Sequence, residues 1–489
     1  MKKTRGNAAK KTTVENTVEN VENMVKNLKF AFGMAVAFFM LPADVVDAET
    51  LTVTTTSMDV ADDGFCSLPE AIVSANTNVA SGEMKGECPA GAILDLIQLG
   101  SSETYVLTSV LGDIATHGDH GLPTVTADFI TLEGNGSTIT REPEAADFRL
   151  LGVSGRNFVV RDVHFDNGIA ESYGGGVLIT SDATVESCTF TGNMAGVGGG
   201  GIAGVFTVSN MTIRDSSFST NQGGTWGGGV YVGGTGLVEN SHFEQNDISG
   251  SGGSGAGVGG NGNSLVISNS TFTGNLRGAI QFGHGDAEVR DSVIWGNSGH
   301  YSIFGDSGSN MQVINTTVTM NSGFFSIIRF VVDGAINNST VYGNFSRGLQ
   351  ANTPPNIEVS NSIIAHNSLL GDCEESTFAS LGHNLDSDGT CGFSATGDLS
   401  AMDPRLVLEL GADGRPLLVP APLSPVIDAG SAATVGSVGA CEPLDQRGVA
   451  RPVDGGGDAQ AICDMGALEA PHQLFTDGFE SGDMSAWSL

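Results

Sequence analysis

Eight asparagines recur along the middle of the chain in one fixed context, and this recurrence restricts the fold more than any other feature. They are Asn193, Asn221, Asn246, Asn275, Asn297, Asn321, Asn344 and Asn367, spaced 28, 25, 29, 22, 24, 23 and 23 residues apart. Three residues before each stands Phe190, Phe218, Phe243, Phe272, Ile294, Val318, Val341 or Ile364, all apolar. Eight residues before each stands Val185, Ile213, Val238, Ile267, Val289, Val313, Ile336 or Val359, all β-branched. A polar column lies six residues before: Ser187, Asp215, Asn240, Asn269, Asp291, Asn315, Asn338 and Asn361. Five residues before come Cys188 and then only Ser or Thr: Ser216, Ser241, Ser270, Ser292, Thr316, Ser339 and Ser362.

β-Branched residues at alternating positions make short strands with one buried face. Asn and Asp tolerate the left-handed conformation that ends a strand and bond their own turn backbone. Identical turns stacked about 4.8 Å apart let each amide reach the one above. At 489 residues the chain is too long for one compact globular core. It is therefore expected to be all-β, a right-handed parallel β-helix in which each repeat is one coil. A β-sandwich would not keep these columns in register. The 70 glycines fit the same reading, because they alternate with Val, Ile and Phe at a fixed period. Cys188 then reads as a packed thiol in a small-residue column rather than a nucleophile. Glycine-rich bends precede an aliphatic at Val177, Ile202, Val230, Val258 and Ile280, and the gap from asparagine to aliphatic varies from 5 to 12 residues. Variable length places these loops outside the solenoid on one side, where a ligand is expected.

Both ends depart from the period. Lys26 and Lys29 precede a 12-residue apolar run from Phe30 to Leu41, too short to span a bilayer, and Val46 to Ala48 offers small residues for a cut. Residues 1–48 are read as an export signal with Met24 as a candidate start; an uncleaved anchor is the alternative. No later stretch is apolar enough for a transmembrane helix. Removing residues 1–48 takes the net charge from −34 to 14 − 50 = −36, a surface that repels nucleic acid and anionic lipid. After the signal, Ser67-Leu68-Pro69-Glu70 is a capping box, and Leu68, Ala71, Ile72 and Ala75 form an apolar helical stripe suited to a lid over the open sheet edge. Six of the seven cysteines form local pairs separated by 22, 18 and 22 residues, and the expected disulfides are Cys66–Cys88, Cys373–Cys391 and Cys441–Cys463. The period fades after about residue 395, so a short capping helix and a disulfide-containing C-terminal cap are expected to close the solenoid.

These segments resemble a family. "DDGFCSLPEAIVSANTN" (62–78) is similar to the N-terminal module named for the string CSLREA in large bacterial surface proteins, with Pro69 where that module has Arg. "GLPTVTADFITLEGNGSTITR" (121–141) and "SLGHNLDSDGTCG" (380–392) resemble coils of the same proteins. "SPVIDAG" (424–430), "DQRGVARPVDG" (445–455) and "CDMGALE" (463–469) resemble the segment called choice-of-anchor Q. The "FTGN" and "GGGI" repeats are similar to those of polymorphic outer-membrane proteins, and "LFTDGFESGDMSAWS" (474–488) to a terminal tag on exported gammaproteobacterial proteins. The resemblance implies a secreted or outer-membrane surface protein of a Gram-negative bacterium. Its expected parts are a signal (1–48), an N-terminal cap (49–91), a β-helix (92–395), an anchor-like segment (396–470) and a tail (471–489). It implies no catalytic residue.

Many β-helices cleave acidic polysaccharides, which needs clustered carboxylates for hydrolysis, or calcium-binding carboxylates with an Arg or Lys base for elimination. Gly283-His284-Gly285 matches one hydrolase motif, but its acidic partners are missing from the preceding coils. Asp215 and Asp291 share a column about three coils apart, too far to share an ion, and Arg277 and Arg290 lie near the variable loops without a carboxylate cluster in sequence. Asn384, Asp386 and Asp388 alternate before Gly389 like the start of a calcium loop, yet the twelfth position is Ala395; an Asx turn is the plainer reading. Tyr173 and Trp226 each precede a glycine triplet. Rings at loop bases stack on sugars or pack within the loop layer. The expectation is a non-catalytic β-helix for adhesion, matrix or envelope interaction, with polysaccharide or envelope components as partners, no nucleic acid, and no cofactor beyond the calcium candidate. The alternative is a polysaccharide lyase or glycoside hydrolase.

Overall fold

The computed structural model describes residues 48–471, apart from 115–116, 206–209, 251–252, 353–355, 369, 375–377 and 458–460. The export-signal and tail expectations lie outside the described residues. The chain divides into units Met1–Ala48 and Glu49–Leu489, and the second holds everything below.

The period in the sequence becomes parallel coils. One strand of each coil carries the β-branched column. Val185 lies beside Ile213, Ile213 beside Val238, Val238 beside Ile267, and the register continues through Val289, Val313, Ile336 and Val359. All eight are buried. The next strand carries the column three residues before each asparagine. Phe165, Phe190, Phe218, Phe243 and Phe272 stack with centroids 5.0, 4.7, 5.0 and 4.6 Å apart. That spacing matches neighbouring strands, so each ring rests on its copy in the next coil. A third, short strand begins just after Asn193, Asn221, Asn246, Asn297 and Asn321 (Met194–Ala195, Gln222–Gly223, Asp247–Ile248, Ser298–Gly299 and Ser322–Gly323), with Ile169–Ala170 in the same place one coil earlier, and a fourth starts at the aliphatic after the glycines. Gly199 shows why glycine stands there: its φ is +66°, and an added Cβ would lie 2.3 Å from the Ile202 carbonyl.

The asparagine column forms a buried amide ladder. Each Nδ2 donates to the Oδ1 of the next asparagine, from Asn193 to Asn221 at 3.0 Å through Asn344 to Asn367 at 2.8 Å. Each also donates to a strand carbonyl of the preceding coil, as Asn275 does to Phe243 at 2.9 Å. Asp372 ends the ladder, accepting from the Asn367 backbone and amide at 3.0 Å each. The serine column forms a second ladder. Its backbone N–H groups donate to the next hydroxyl, from Cys188 N to Ser216 at 3.1 Å through Ser339 N to Ser362 at 3.2 Å, and Asn384 closes it by accepting from Ser362 N at 3.0 Å.

The column six residues before the asparagines is left-handed at all eight positions, with φ between 43° and 53°. A second left-handed corner lies one residue before each ladder asparagine: Gly192, Thr220, Gln245, Gly274, Gly296, Met320, Gly343 and His366. The sequence did not announce this corner, because Thr220, Gln245 and Met320 among its members are residue types that rarely adopt φ > 0.

The helix α1 (Leu68–Thr77) has the expected capping box, and Leu68, Ala71, Ile72 and Ala75 are buried beneath it. All three expected disulfides are present, and Cys188 is buried and free. The strand Ala48–Thr52 already pairs with Leu94–Gln98, so the stack of strands begins within the N-terminal cap. The C-terminal segment runs back along the flank of the later coils as well as following the last one. Asn315 donates to the Leu444 carbonyl at 2.6 Å, Glu442 N to Asn338 at 2.8 Å, and Asn361 to the Gly439 carbonyl at 3.0 Å. The left-handed polar column of the later coils is therefore its template. Below this docking lies a buried ion pair, Arg451–Glu469. Burial first, then the Glu469 charge, pushes the neighbouring Asp464 carboxyl up to about 7.

Candidate functional site

The residue one after each ladder asparagine points outward on the third strand. Met194, Gln222, Asp247, Leu276, Ser298, Ser322 and Phe345 follow one another, each N–H donating to a carbonyl of the preceding coil. The loops that leave this strand are the variable ones, so the loop side expected from the spacing is a real face. Its middle coils hold a groove of about 680 Å³ lined by Asp247, Leu276, Arg277, Ser298, His300 and Phe324.

Arg277 has φ +76°, an unusual backbone state for a long side chain, because its chain bends there beside Gly299. Its guanidinium lies 3.8 Å from Asp247 and donates to the Gly250 carbonyl at 3.0 Å. At one rim His300 meets Phe324 edge-on at 5.9 Å and Phe325 at 5.7 Å. Phe325 and Phe304 both stack on Tyr301. The Arg329 guanidinium sits 5.1 Å from the Tyr301 ring centroid and hydrogen-bonds its hydroxyl. Phe324 is 80% exposed and Phe325 51%, although apolar rings gain most from burial. Sequence reasoning placed the side but missed these residues. The available signal was two aromatic-rich pairs in successive coils, His300-Tyr301 and Phe324-Phe325, three and four residues after Asn297 and Asn321, where the coils of Asn221, Asn246 and Asn275 carry Gly, Ser, Thr or Ala.

Tyr173 and Trp226 are equivalent, both bridging to Gly198 from neighbouring coils. Both are half-buried: Tyr173 packs on Tyr231 at 5.0 Å, and Trp226 lies against Gly283. Burial first, then Tyr173, pushes the Tyr231 phenol up to about 12. His284 is exposed on a strand beside Gly308.

Asp215 and Asp291 are separated in the stack by Asn240 and Asn269, and Asn240 donates to Asp215 at 3.2 Å. Arg290 pairs with Glu288, Asp291 and Glu442 under the C-terminal segment. Arg149 is buried, with its guanidinium donating to the carbonyls of His117, Gly118, Tyr173 and Gly174. Burial pulls it down to about 10. Its donors are engaged in holding loops.

Asn384, Asp386 and Asp388 stand together near the Cys373–Cys391 disulfide. Asn384 closes the serine ladder. Asp386 accepts from Gly389 N, Ser400, Ala401 N and Cys391 N, while Asp388 accepts from Thr390 and Asp372 N. Among the described residues, no group of three or more His, Cys, Asp or Glu is placed to hold a metal ion.

The sequence matches the family described as right handed beta helix region over residues 125–266 and 254–398, more than half of the chain. The chain belongs to the right-handed β-helix family. No curated protein matches it. Solved structures similar to this β-helix include the PL6 family alginate lyase AlyGC (13% identity, TM-score 0.39, 66% of this chain and 52% of that one). Pectate lyase Pel9A is similar at 12% identity and TM-score 0.38, over 87% of this chain and 98% of that one. This chain thus spans about half the length of the alginate lyase. None of these likenesses assigns an activity to it. Among the described residues, no helix is long and apolar enough to cross a membrane.

Proposed function

We propose that this β-helix is an exported, surface-displayed or secreted protein that binds polysaccharide of a matrix or cell envelope without cleaving it. The observation that carries this reading is the groove on the loop face. Exposed aromatic rings form its rim, and Arg277, His300 and Ser298 supply hydrogen-bond donors beside them. A ring offers a flat apolar platform to the C–H face of a sugar, and the polar groups meet its hydroxyls. Arg277 lies beside Asp247, so the groove is not an unopposed cationic site. The chain's net charge of −34 also disfavours polyanions at low salt.

The second reading, a lyase, rests on Arg277 and His300 lining one groove, a base beside a cation. One experiment separates the two. The protein without residues 1–48 is incubated with immobilised neutral and uronate polysaccharides, and with soluble uronate polymers followed by ultraviolet absorbance and reducing ends. Retention on polysaccharide, weakened about tenfold in Phe324→Ala/Phe325→Ala, with no new unsaturated or reducing ends, supports binding. Product formation that His300→Ala abolishes would establish the lyase. Calcium is tested alongside: titration with calcium chloride that raises the melting temperature in the wild type and not in Asp388→Ala would place the ion at Asn384, Asp386 and Asp388.

A further inference from the structure

The C-terminal segment does not cover the flank evenly, and a cleft opens where its coverage ends. The hairpin Leu406–Leu410/Pro416–Pro420 brings its turn, Asp413 to Arg415, over the middle coils. Beneath the turn lies a cleft of about 470 Å³, within the range of small-ligand sites. Its wall holds Asn240, His242, Asn269, Thr271 and Trp295.

Trp295 is out of character for its position. It stands on the outward side of its strand, in register with Thr273 and Thr319 on the coils beside it. An outward indole adds nothing to the core stack of phenylalanines. Its Nε1 is closed off by protein and has no hydrogen-bond partner, so the indole offers the cleft apolar ring surface rather than a donor. The one fixed cation lining the cleft is opposed, because Arg415 pairs with Asp413, and the His242 ring lies 3.7 Å from the Glu244 carboxylate. The remaining polar groups are the amides of Asn240 and Asn269 and the hydroxyls of Ser241 and Thr271, which donate and accept. A second depression of about 450 Å³ shares Asn269 and Arg415 and continues the cleft along the C-terminal segment.

We infer that this cleft is a second binding site, separate from the loop groove, and that it takes an uncharged sugar chain. The indole meets the apolar face of one ring, and the Asn240 and Asn269 amides with Asp413 meet its hydroxyls. A phosphate or uronate would find no unopposed cation there.

The test is a calorimetric and tryptophan-fluorescence titration of the protein lacking residues 1–48 with cellohexaose, laminarihexaose and mannohexaose, and with hexagalacturonate as the charged control. At least one neutral hexamer is expected to bind, with an affinity that added salt leaves unchanged. Measured in the Phe324→Ala/Phe325→Ala background, which removes the rim of the loop groove, Trp295→Ala should weaken that binding at least about tenfold. Asp413→Asn, at an exposed turn where folding is not at risk, should weaken it by several-fold. The inference is overturned if no neutral hexamer binds, if binding survives both Trp295→Ala and Asp413→Asn, or if hexagalacturonate alone binds.

Discussion

At the scale of single residues, the ladders turn buried polar atoms into a device that holds the coils in register. Asn275 accepts from the backbone and the amide of Asn246, and donates to Asn297 and the Phe243 carbonyl. Asn275→Ala leaves two donors of Asn246 without that acceptor in a site closed to water. The expected cost is about 2–4 kcal/mol, read as a fall in the denaturation midpoint. Cys188 heads the parallel hydroxyl ladder, and its thiol is pushed up to about 12, chiefly by burial. It should resist alkylation in the folded protein at mildly alkaline pH and react once denatured, as followed by intact mass. Cys188→Ser fits the column and should change stability by less than about 1 kcal/mol. The strand columns and the first left-handed corner were legible because each used residues with a local reason to be there. The second corner was not, since Thr220, Gln245, Met320 and His366 adopt it under the constraint of neighbouring coils. At Met320, exposed at φ 55°, Met320→Gly should raise stability by up to about 1 kcal/mol, read as a higher denaturation midpoint, because four equivalent positions already carry glycine.

At the scale of elements, the N-terminal helix was readable from a few residues, because a capping box is a local signature. Glu70 does more than cap. One carboxylate oxygen accepts from Ser67 N and the other from Ala61 N, each at 2.9 Å, tying the helix to the segment before it. Glu70→Ala should therefore cost about 1–3 kcal/mol and expose residues 54–90 to protease and hydrogen exchange before the coils open. The C-terminal segment was less legible. Its disulfides could be read from spacing, but its path along the flank depends on Asn315, Asn338 and Asn361 turning their amides off the coils toward it. Only the coil geometry decides that. The candidate groove divides in the same way. Its side followed from variable loop length, whereas Arg277, His300 and the phenylalanine rim come from different coils, far apart in sequence and joined only by stacking.

At the scale of the whole molecule, acidity and burial act together on stability. The folded chain raises Asp464 to about 7 from an ordinary 3.8, with burial as the main cause and Glu469 next. Burial also raises Asp372, Asp428 and Glu469. A carboxyl with a raised folded pKa keeps its proton longer in the native state. Its stabilisation is complete below the unfolded pKa and is lost as pH climbs through the folded value. For Asp464 that window runs from about 4 to about 7, with a slope of up to about 1.4 kcal/mol per pH unit. Glu87 and Asp403 shift the opposite way, but both lie at the surface, Glu87 half-buried and Asp403 exposed, where solvent screens them. Self-repulsion from a net charge of −34 works in the same direction as Asp464, since it also grows as carboxyls ionise. Salt separates the two contributions, because it screens charges at the surface far more than a buried carboxyl. Melting followed from about pH 5 to about pH 8 in high salt should still show stability falling with pH. Asp464→Asn should flatten much of that fall from a lower starting point, because an amide cannot accept from both Asp428 N and Ala470 N as the carboxyl does. A wild-type profile flat in high salt would assign the pH dependence to the surface. A sloping profile lost in the variant would assign it to the cluster beneath the C-terminal segment, and would make that segment the part of the molecule that loosens first as the medium turns alkaline.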